Sequence, residues 1–185
     1  YDDGVLKGWW ENYIYRLPSG DVATLNYDVT ERKELEEFQR ISHSKLVELS
    51  NSVASGNFDI QSFMEKAVET VGRILKVDRA GIYMLNENNE FDIRLLYEAS
   101  TGKISSNAGR AMDQKLAEKY LNHIRGRRVL SIENVLGENI DDPFILSLID
   151  VHVYGILDIP LNVKREVIGS LYCDMGRPRN WSYEE

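Results

Sequence analysis

The chain of 185 residues contains one cysteine, four prolines and no long hydrophobic run. The single cysteine, Cys173, excludes an internal disulfide and a metal site built from several thiolates, and it is typical of a reducing compartment. No run approaches the length of a membrane span, and the first residues lack the basic-then-apolar pattern of a signal peptide. We therefore expect a cytoplasmic location and no membrane contact within this chain.

Basic residues are also scarce. Lysine and arginine total 22 against 30 aspartates and glutamates, which gives a formal net charge of −8. Nucleic-acid surfaces need clustered Lys and Arg, so this balance argues against a nucleic-acid partner. The one basic cluster, Arg125, Arg127 and Arg128 around Gly126, is typical of a helix end. A hydrophobic content of 43% is ordinary for a globular chain.

The most apolar part of the chain is a pair of β-rich runs, residues 154–161 and 166–174, on either side of a polar four-residue turn. Such a pair predicts an antiparallel hairpin. Both runs are apolar at nearly every position, which predicts strands covered on both faces. Pro160 cannot donate to a ladder and is expected at the end of its strand. Gly155 and Gly169 are expected to leave gaps in the sheet that a neighbouring group can approach closely.

This hairpin, with the string ILDIPLNVKREVIGSLYCD, resembles the last two core strands of a GAF domain. The resemblance extends from about Phe58 to the end of the chain. It implies an α+β sandwich in which a central antiparallel sheet has helices on both faces. The residues from Trp181 onward resemble the first turn of the closing GAF helix, which we expect to be cut off there.

The elements before the hairpin are predicted from their periodicity, caps and turn residues. They are a helix from Asp59 to Leu75, strands over 79–86 and 91–100, a mobile connection over 101–110, a helix between Asp113 and Gly126, a strand over 128–133 and a short helix over 144–149. Together with the hairpin they predict one domain over residues 56–185.

Residues 1–30 contain two strand-like segments around a turn at 18–21, and a lone two-stranded hairpin is marginally stable. The hexapeptide DVTERK that follows resembles the signature at the end of PAS sensor domains. The resemblance implies that residues 1–30 are the C-terminal remnant of a PAS domain. In that family the residues matching Asp28 and Arg32 often form an ion pair. Thr30 is expected to cap the helix that follows.

One long helix is predicted over residues 31–55, because this segment contains no proline and no glycine. Its apolar stripe has irregular spacing, so it is a broken heptad rather than a regular coiled coil. The stripe either packs on the neighbouring domains or forms a parallel dimer helix that carries a signal, and both can hold along different parts. Its members are Leu35, Phe38, Ile41, Leu46, Leu49 and Val53.

No catalytic motif is present: the chain lacks a Gly-rich phosphate loop, an H-E-x-x-H helix, a cysteine pair and a serine nucleophile elbow. Cys173 lies in an apolar run, where a free cysteine behaves as a small hydrophobic residue. We therefore expect no enzymatic activity and no metal site in this chain. No cofactor is identified.

The resemblance to GAF domains implies a small-molecule cavity under a loop and short helices on one face of the sheet. By analogy with the family, the polar and aromatic groups expected near that cavity are Tyr97, Arg110, His123, His152 and Tyr154. His123 and His152 are expected to approach one space. The ligand itself is not identified by the sequence.

These observations predict a regulatory PAS–GAF sensor from a signal-transduction protein such as a histidine kinase or a diguanylate cyclase. It would bind a small molecule or a partner, form a homodimer, and relay a conformational change through its helix to an output domain outside this chain. Two alternatives stay open. One is a GAF-type enzyme that uses Cys173, and the other is a structural dimerisation module with a collapsed, empty cavity.

Overall fold

The computed structural model describes residues 8–54 and 59–182, without the side chains of residues 52–54 and Arg110. The chain forms two compact units, Tyr1–Glu48 and Leu49–Glu185. The closing helix was expected from Trp181 onward; Trp181 and Ser182 are not helical, and residues 183–185 lie outside the described part. Within the described residues, no helix combines the length and apolar character that a membrane span requires.

The first unit contains the predicted hairpin, formed by β1 (Trp10–Arg16) and β2 (Val22–Asp28). The strands pair antiparallel in an unbroken register from Trp10 opposite Asp28 to Arg16 opposite Val22. Most side chains on both faces are exposed, including large aromatic ones. The long helix α1 follows over Thr30–Ala54, close to the predicted bounds.

Two details at the start of α1 differ from the sequence-based expectation. The Val29 carbonyl already accepts a hydrogen bond from the Lys33 amide at 3.0 Å, so the helix begins one residue earlier than a Thr30 cap would allow. The Thr30 hydroxyl instead accepts from the Trp9 amide at 2.8 Å. Arg32 forms its ion pair with Glu11 on β1, not with Asp28, because Asp28 turns back to accept from the Thr30 amide.

The second unit is built around a six-stranded antiparallel sheet with the strand order β5-β4-β3-β8-β7-β6. The fold class is therefore α+β, as predicted. The strands are β3 (Arg79–Leu85), β4 (Phe91–Glu98), β5 (Lys103–Met112), β6 (Leu130–Ile132), β7 (Gly155–Val163) and β8 (Glu166–Met175). The helices are α2 (Ile60–Ile74), α3 (Gln114–Ile124) and α4 (Pro143–Asp150), with a short 3-10 turn at Val135–Gly137.

The three helices begin where the sequence predicts, because an aspartate caps each of them. Asp59 accepts from the Gln61 and Ser62 amides, Asp113 from the Leu116 amide, and Asp142 from the Phe144 amide. Pro143 occupies the first position of α4, where its missing N–H costs no hydrogen bond.

Three predictions about the strands were wrong. The mobile connection over 101–110 is mostly β5, which is polar because it is an edge strand with β4 as its one neighbour. Pro160 does not end its strand, because β7 continues to Val163. The proline lies beyond the residues of β7 that pair with β6. The hairpin turn has two residues, Lys164 and Arg165, both with positive φ, as in tight hairpins.

Helices cover both faces of the sheet. On one face, the α2 face, Gly72 of α2 lies so close to Tyr97 that a Cβ there would collide with the tyrosine ring. Directly paired residues share a face, so Ala80 and Cys173 also lie on the α2 face. The opposite side, the α3–α4 face, carries most of the buried core, including Phe91, Tyr120, Phe144, Ile145 and Ile156.

Candidate functional site

A buried polar cluster lies on the α3–α4 face, between α3 and the two central strands. The Tyr120 hydroxyl donates to Asp158 Oδ2 at 2.7 Å, and its oxygen lies 2.7 Å from the Ser170 hydroxyl. Tyr120 and Ser170 are fully buried and Asp158 is 3% exposed. The cluster is the polar link between the covering helix and the sheet beneath it.

Sheet register places further groups beside this cluster. Tyr172 on β8 is paired with Asp158 on β7, so both side chains point to the α3–α4 face. The Tyr172 ring stacks on the Tyr83 ring with a centroid distance of 3.9 Å and an interplanar angle of 11°. Gly81 makes room for this stack, because any Cβ there would collide with the Tyr172 hydroxyl.

The electrostatic state of Asp158 follows from its burial. Burial raises the pKa of Asp158 well above its usual range, and the nearby charge of Asp174 raises it further. Hydrogen bonding from Tyr120 and the Cys173 backbone opposes this rise. Asp158 Oδ1 receives no hydrogen bond of standard geometry from the described residues. A buried carboxyl oxygen without a partner costs free energy and calls for an explanation.

Asp174 extends the cluster toward the end of the sheet. It is two residues beyond Tyr172 on β8 and 7% exposed, and it forms an ion pair with Arg79 of β3 at 3.3 Å. Burial raises the pKa of Asp174 to about 6, although the Arg79 guanidinium opposes the rise. Arg79 is 34% exposed, so the pair joins the buried cluster to the surface.

An open cleft of about 540 Å³ lies at this end of the α3–α4 face. A cavity of this size is in the range of small-molecule sites. Its Glu98 is paired with Arg79 across the sheet, and Val151 and His152 follow directly after α4. The residues that line it are Asp78, Arg79, Glu98, Ala99, Ser100, Val151, His152 and Gly176.

The family model for the GAF domain matches residues 59–185, the whole of the sheet and its covering helices. The chain belongs to the GAF domain family. No curated protein matches the chain.

Solved structures of GAF domains share the fold of this one. The chromophore-binding domain of the Stigmatella aurantiaca bacteriophytochrome is 15% identical, with a TM-score of 0.65, over 100% of this chain and 66% of that one. The phycoerythrobilin-bound GAF domain from a cyanobacterial phytochrome is 14% identical, with a TM-score of 0.65, over 79% and 87%. The GAF domain of PixJ from Thermosynechococcus elongatus is 18% identical, with a TM-score of 0.56, over 67% and 74%. At these identities the likeness concerns the fold.

Of the residues predicted to lie near a ligand, His152 lines the cleft. His123 lies at the other end of α4, where its Nε2 is 2.9 Å from Asp142 Oδ2. Because α4 has eight residues, its ends are about 12 Å apart, and the two histidines do not share one space. Tyr154 is half-buried just before β7, where its amide donates to the Met175 carbonyl at 2.8 Å.

The remaining predicted ligand residues are not brought together with these. Tyr97 is 4% exposed on the α2 face, with the sheet between it and the cleft. Arg110 belongs to the edge strand β5, opposite Asp92, and its side chain lies outside the described part.

Sequence reasoning missed the polar cluster of the GAF domain and the ion pair beside it, which consist of Arg79, Tyr120, Asp158, Ser170 and Asp174. A signal for three of them was present. β7 and β8 were recognised as strands covered on both faces, and a polar residue in such a strand needs a buried partner. Asp158, Ser170 and Asp174 are the exceptions to that apolar pattern, whereas Tyr120 and Arg79 carry no comparable signal.

Cys173 is buried on the α2 face and is 2% exposed. The sheet therefore separates the thiol of this GAF domain from the cleft and from the polar cluster. Within the described residues, no three His, Cys, Asp or Glu side chains are arranged to hold a metal ion.

Proposed function

We propose that this chain is the sensory region of a signal-transduction protein and that its GAF domain binds a small molecule on the α3–α4 face. The observation that carries the proposal is the open cleft at the end of the α3–α4 face, whose Arg79 forms an ion pair with the buried Asp174. A site of this kind combines access from solvent with a few convergent polar groups in an apolar surrounding.

The nature of the structural neighbours supports a small-molecule ligand. One GAF domain of the same fold, from a cyanobacterial phytochrome, is phycocyanobilin-bound, and a further solved structure of this fold is described with bound biliverdin IXa. A covalent thioether to a bilin on this face is not part of the proposal, because the one thiol lies on the opposite face of the sheet. The ligand is therefore held by noncovalent contacts.

The proposed sensor has three parts: the end of a PAS domain over residues 1–30, a signalling helix over 31–55 and the GAF domain. The DVTERK motif, with Asp28, Thr30 and Arg32, supports the first part. A ligand that binds one conformation of the GAF domain more tightly shifts a two-state equilibrium in the helices. The output domain, of the histidine kinase or diguanylate cyclase type in a cytoplasmic protein, lies outside this chain.

Native mass spectrometry of the freshly purified protein, combined with its absorption spectrum, tests the ligand-binding part. We expect a mass above that of the polypeptide, and we expect acid denaturation to release the bound molecule. The same excess should be smaller in Arg79→Ala, which removes the ion pair at the cleft, and unchanged in Arg177→Ala, an exposed arginine that does not line the cleft. An added mass that survives denaturation would contradict noncovalent binding.

The relay requires a dimer through α1. Leu46 is 63% exposed in the single chain, as expected for an apolar residue that a partner helix covers in a dimer. Leu35, Phe38 and Leu49 are half-buried, and the side chain of Val53 lies outside the described part. Sedimentation velocity should show a dimer that Leu46→Lys weakens at least tenfold and that Ser44→Lys leaves intact. A monomer at high concentration would contradict the relay.

A second candidate is a structural dimerisation module whose α3–α4 face is filled by its own side chains and holds no ligand. It is favoured by the Tyr120 ring, which lies 5.3 Å from Phe91 and 5.1 Å from Phe144, in close aromatic packing. Such a module would dimerise normally but would bind no small molecule in the tests above. The enzyme hypothesis has less support, because Cys173 is buried in a central strand away from the histidines.

A further inference from the structure

We propose that Arg79 is a switch between two carboxylates, paired with Asp174 while Asp174 is ionised and with Glu98 once Asp174 takes up a proton from solvent. The exchange changes the charges that the cleft presents to a ligand. The inference names a regulation of the proposed ligand site, and it rests on the proposed function for that consequence alone.

The first support is the position of Arg79 in the sheet. Arg79 on β3 is paired with Glu98 on β4 at one side and with Asp174 on β8 at the other. Directly paired residues share a face and have Cβ atoms about 4.5–5.5 Å apart, so one long guanidinium side chain reaches either carboxylate. The structure shows the first of the two pairs, with Arg79 Nη2 3.3 Å from Asp174 Oδ2.

The second support is the difference between the surroundings of the two carboxylates. Asp174 is 7% exposed, whereas Glu98 is half-buried and lines the cleft together with Arg79. Burial penalises the charged form and raises the pKa of Asp174 to about 6, although the Arg79 guanidinium opposes the rise. Asp174 therefore loses its charge in a pH range in which a carboxylate open to solvent keeps it. In that range Glu98 is the charged neighbour that remains for Arg79.

Other titratable groups from several elements surround the Arg79–Asp174 pair. Burial raises the pKa of three tyrosines whose hydroxyls therefore stay neutral: Tyr83 of β3, Tyr120 of α3 and Tyr172 of β8. The charge of Asp174 raises the pKa of Asp158 on β7, so the two buried carboxyl groups resist being ionised together. The charged or titratable groups on the cleft side are Asp78 before β3, Lys103 opposite Glu98 on β5, and His152 after α4.

The proton on Asp174 is coupled to the ligand site because Arg79 and Glu98 both line the cleft. In one position Arg79 leaves the Glu98 carboxylate to the cleft, and in the other it neutralises that carboxylate. A ligand that contacts either side chain therefore changes the proton affinity of Asp174 by the same factor by which the proton changes the affinity for the ligand.

Side-chain NMR of the 13C,15N-labelled protein from pH 4.5 to pH 8 tests the switch without any ligand. The carboxyl carbons of Asp174 and Glu98 and the Nε resonance of Arg79 report on the three groups separately. We expect the Asp174 signal to titrate with a midpoint of about 6, and the Arg79 and Glu98 signals to shift with the same midpoint. Glu87, exposed in the turn before β4, is the internal reference and should show no shift at that midpoint.

Three variants and one control assign the shifts. Asp174→Asn is neutral at every pH, so its Arg79 and Glu98 signals at pH 7.5 should match those of the wild type at pH 5. Glu98→Gln removes the second partner and should move the midpoint of Asp174 to lower pH, whereas the control Glu87→Gln should not. Histidine ordinarily titrates in the same range. In His152→Gln the coupled shifts should persist, because they follow Asp174.

The outcomes separate this inference from the proposed function. An Arg79 signal that stays constant while Asp174 titrates would overturn the switch, and so would a Glu98 signal that does not follow, or shifts that vanish in His152→Gln. An Asp174 carboxyl that stays ionised down to pH 4.5 would overturn it as well, and the wild-type titration decides this even if Asp174→Asn does not fold. The proposed function is decided separately, by whether the purified protein carries a bound molecule.

Discussion

Three glycines of the GAF domain lie where a neighbouring group occupies the space of a side chain. Gly72 faces the Tyr97 ring, Gly81 faces Tyr172, and Gly169 faces the backbone carbonyl of Tyr83 and, at 2.9 Å from a built Cβ, the Met84 sulfur. At Gly169 the obstacle is backbone, which cannot rotate away as a side chain can. The predicted gap in the sheet at Gly169 is therefore filled by the adjacent strand β3.

Gly169→Ala should lower the free energy of unfolding by about 1–3 kcal/mol, because the added methyl group forces β3 and β8 apart. Gly137→Ala is the control, since its nearest neighbour would be 3.8 Å from the new Cβ. We expect the control to change stability by no more than about 0.5 kcal/mol. Urea unfolding of both variants measures the difference, and equal midpoints would contradict the close approach.

Asp174 gives a second prediction for a single residue. Its folded pKa of about 6 lies above the ordinary value of 3.8, so the folded chain holds a proton that the unfolded chain releases more easily. The stabilising contribution of this proton is complete below the unfolded pKa and is lost as pH rises through about 6. Asp174→Asn has no carboxyl group at this position, so its stability does not change with the titration of Asp174.

The difference in unfolding free energy between Asp174→Asn and the wild type should therefore shift in favour of the variant from pH 5 to pH 7.5. Comparing the two proteins at each pH removes the contribution of titrating groups that the charge of Asp174 does not influence. A difference that stays constant across this range, or that moves in favour of the wild type, would contradict the raised pKa of Asp174.

At the scale of elements, the Tyr120 hydroxyl joins α3 to the sheet through buried contacts with Asp158 and Ser170. Tyr120→Phe keeps the ring in place but removes the hydroxyl that donates to Asp158 Oδ2, so it should cost about 1–3 kcal/mol. Hydrogen exchange should quicken along α3 before it does in α2. Tyr97→Phe, on the α2 face, is the control, and a uniform increase over all helices would contradict the local fastening.

The segment after β8 fastens α2 in a similar way. Arg179 donates to the Leu75 carbonyl at 2.6 Å, and its guanidinium lies 4.4 Å from the Trp181 ring centre. Cations at a helix C-terminus are favourable. Arg179→Met should cost about 1–3 kcal/mol and speed exchange in the last turn of α2, whereas Arg177→Met should do neither. Differential scanning calorimetry with hydrogen exchange compares the two variants.

Element types and most helix starts were predictable from the sequence, because caps such as Asp59 and Asp142 act within a few residues. Strand β5 was missed because an edge strand lacks the apolar pattern, and its pairing with β4 is decided across the sheet. The contact of Tyr120 with Asp158 spans 38 residues. Neither residue type nor spacing indicates it, since register and the docking of α3 decide which side chains meet.

At the scale of the whole molecule, the GAF family and the α+β class followed from a diffuse strand pattern. The site could not be predicted in the same way. The analogy with the family placed Tyr97 and His123 near one cavity, whereas they lie on opposite faces of the sheet. Face assignment depends on register, and a one-residue change in register exchanges the two faces. His152 was predicted near the ligand, and it lines the cleft; whether it binds the ligand stays a prediction.

The central claim is that the α3–α4 face receives a small molecule. A fragment screen against 15N-labelled protein, with a chemically broad library, tests it most directly, because it assumes no ligand class. The account predicts hits whose amide shifts centre on Arg79, Glu98, His152 and Tyr172. Hits confined to the α2 face or to the β1–β2 hairpin, with the α3–α4 face silent throughout, would contradict it.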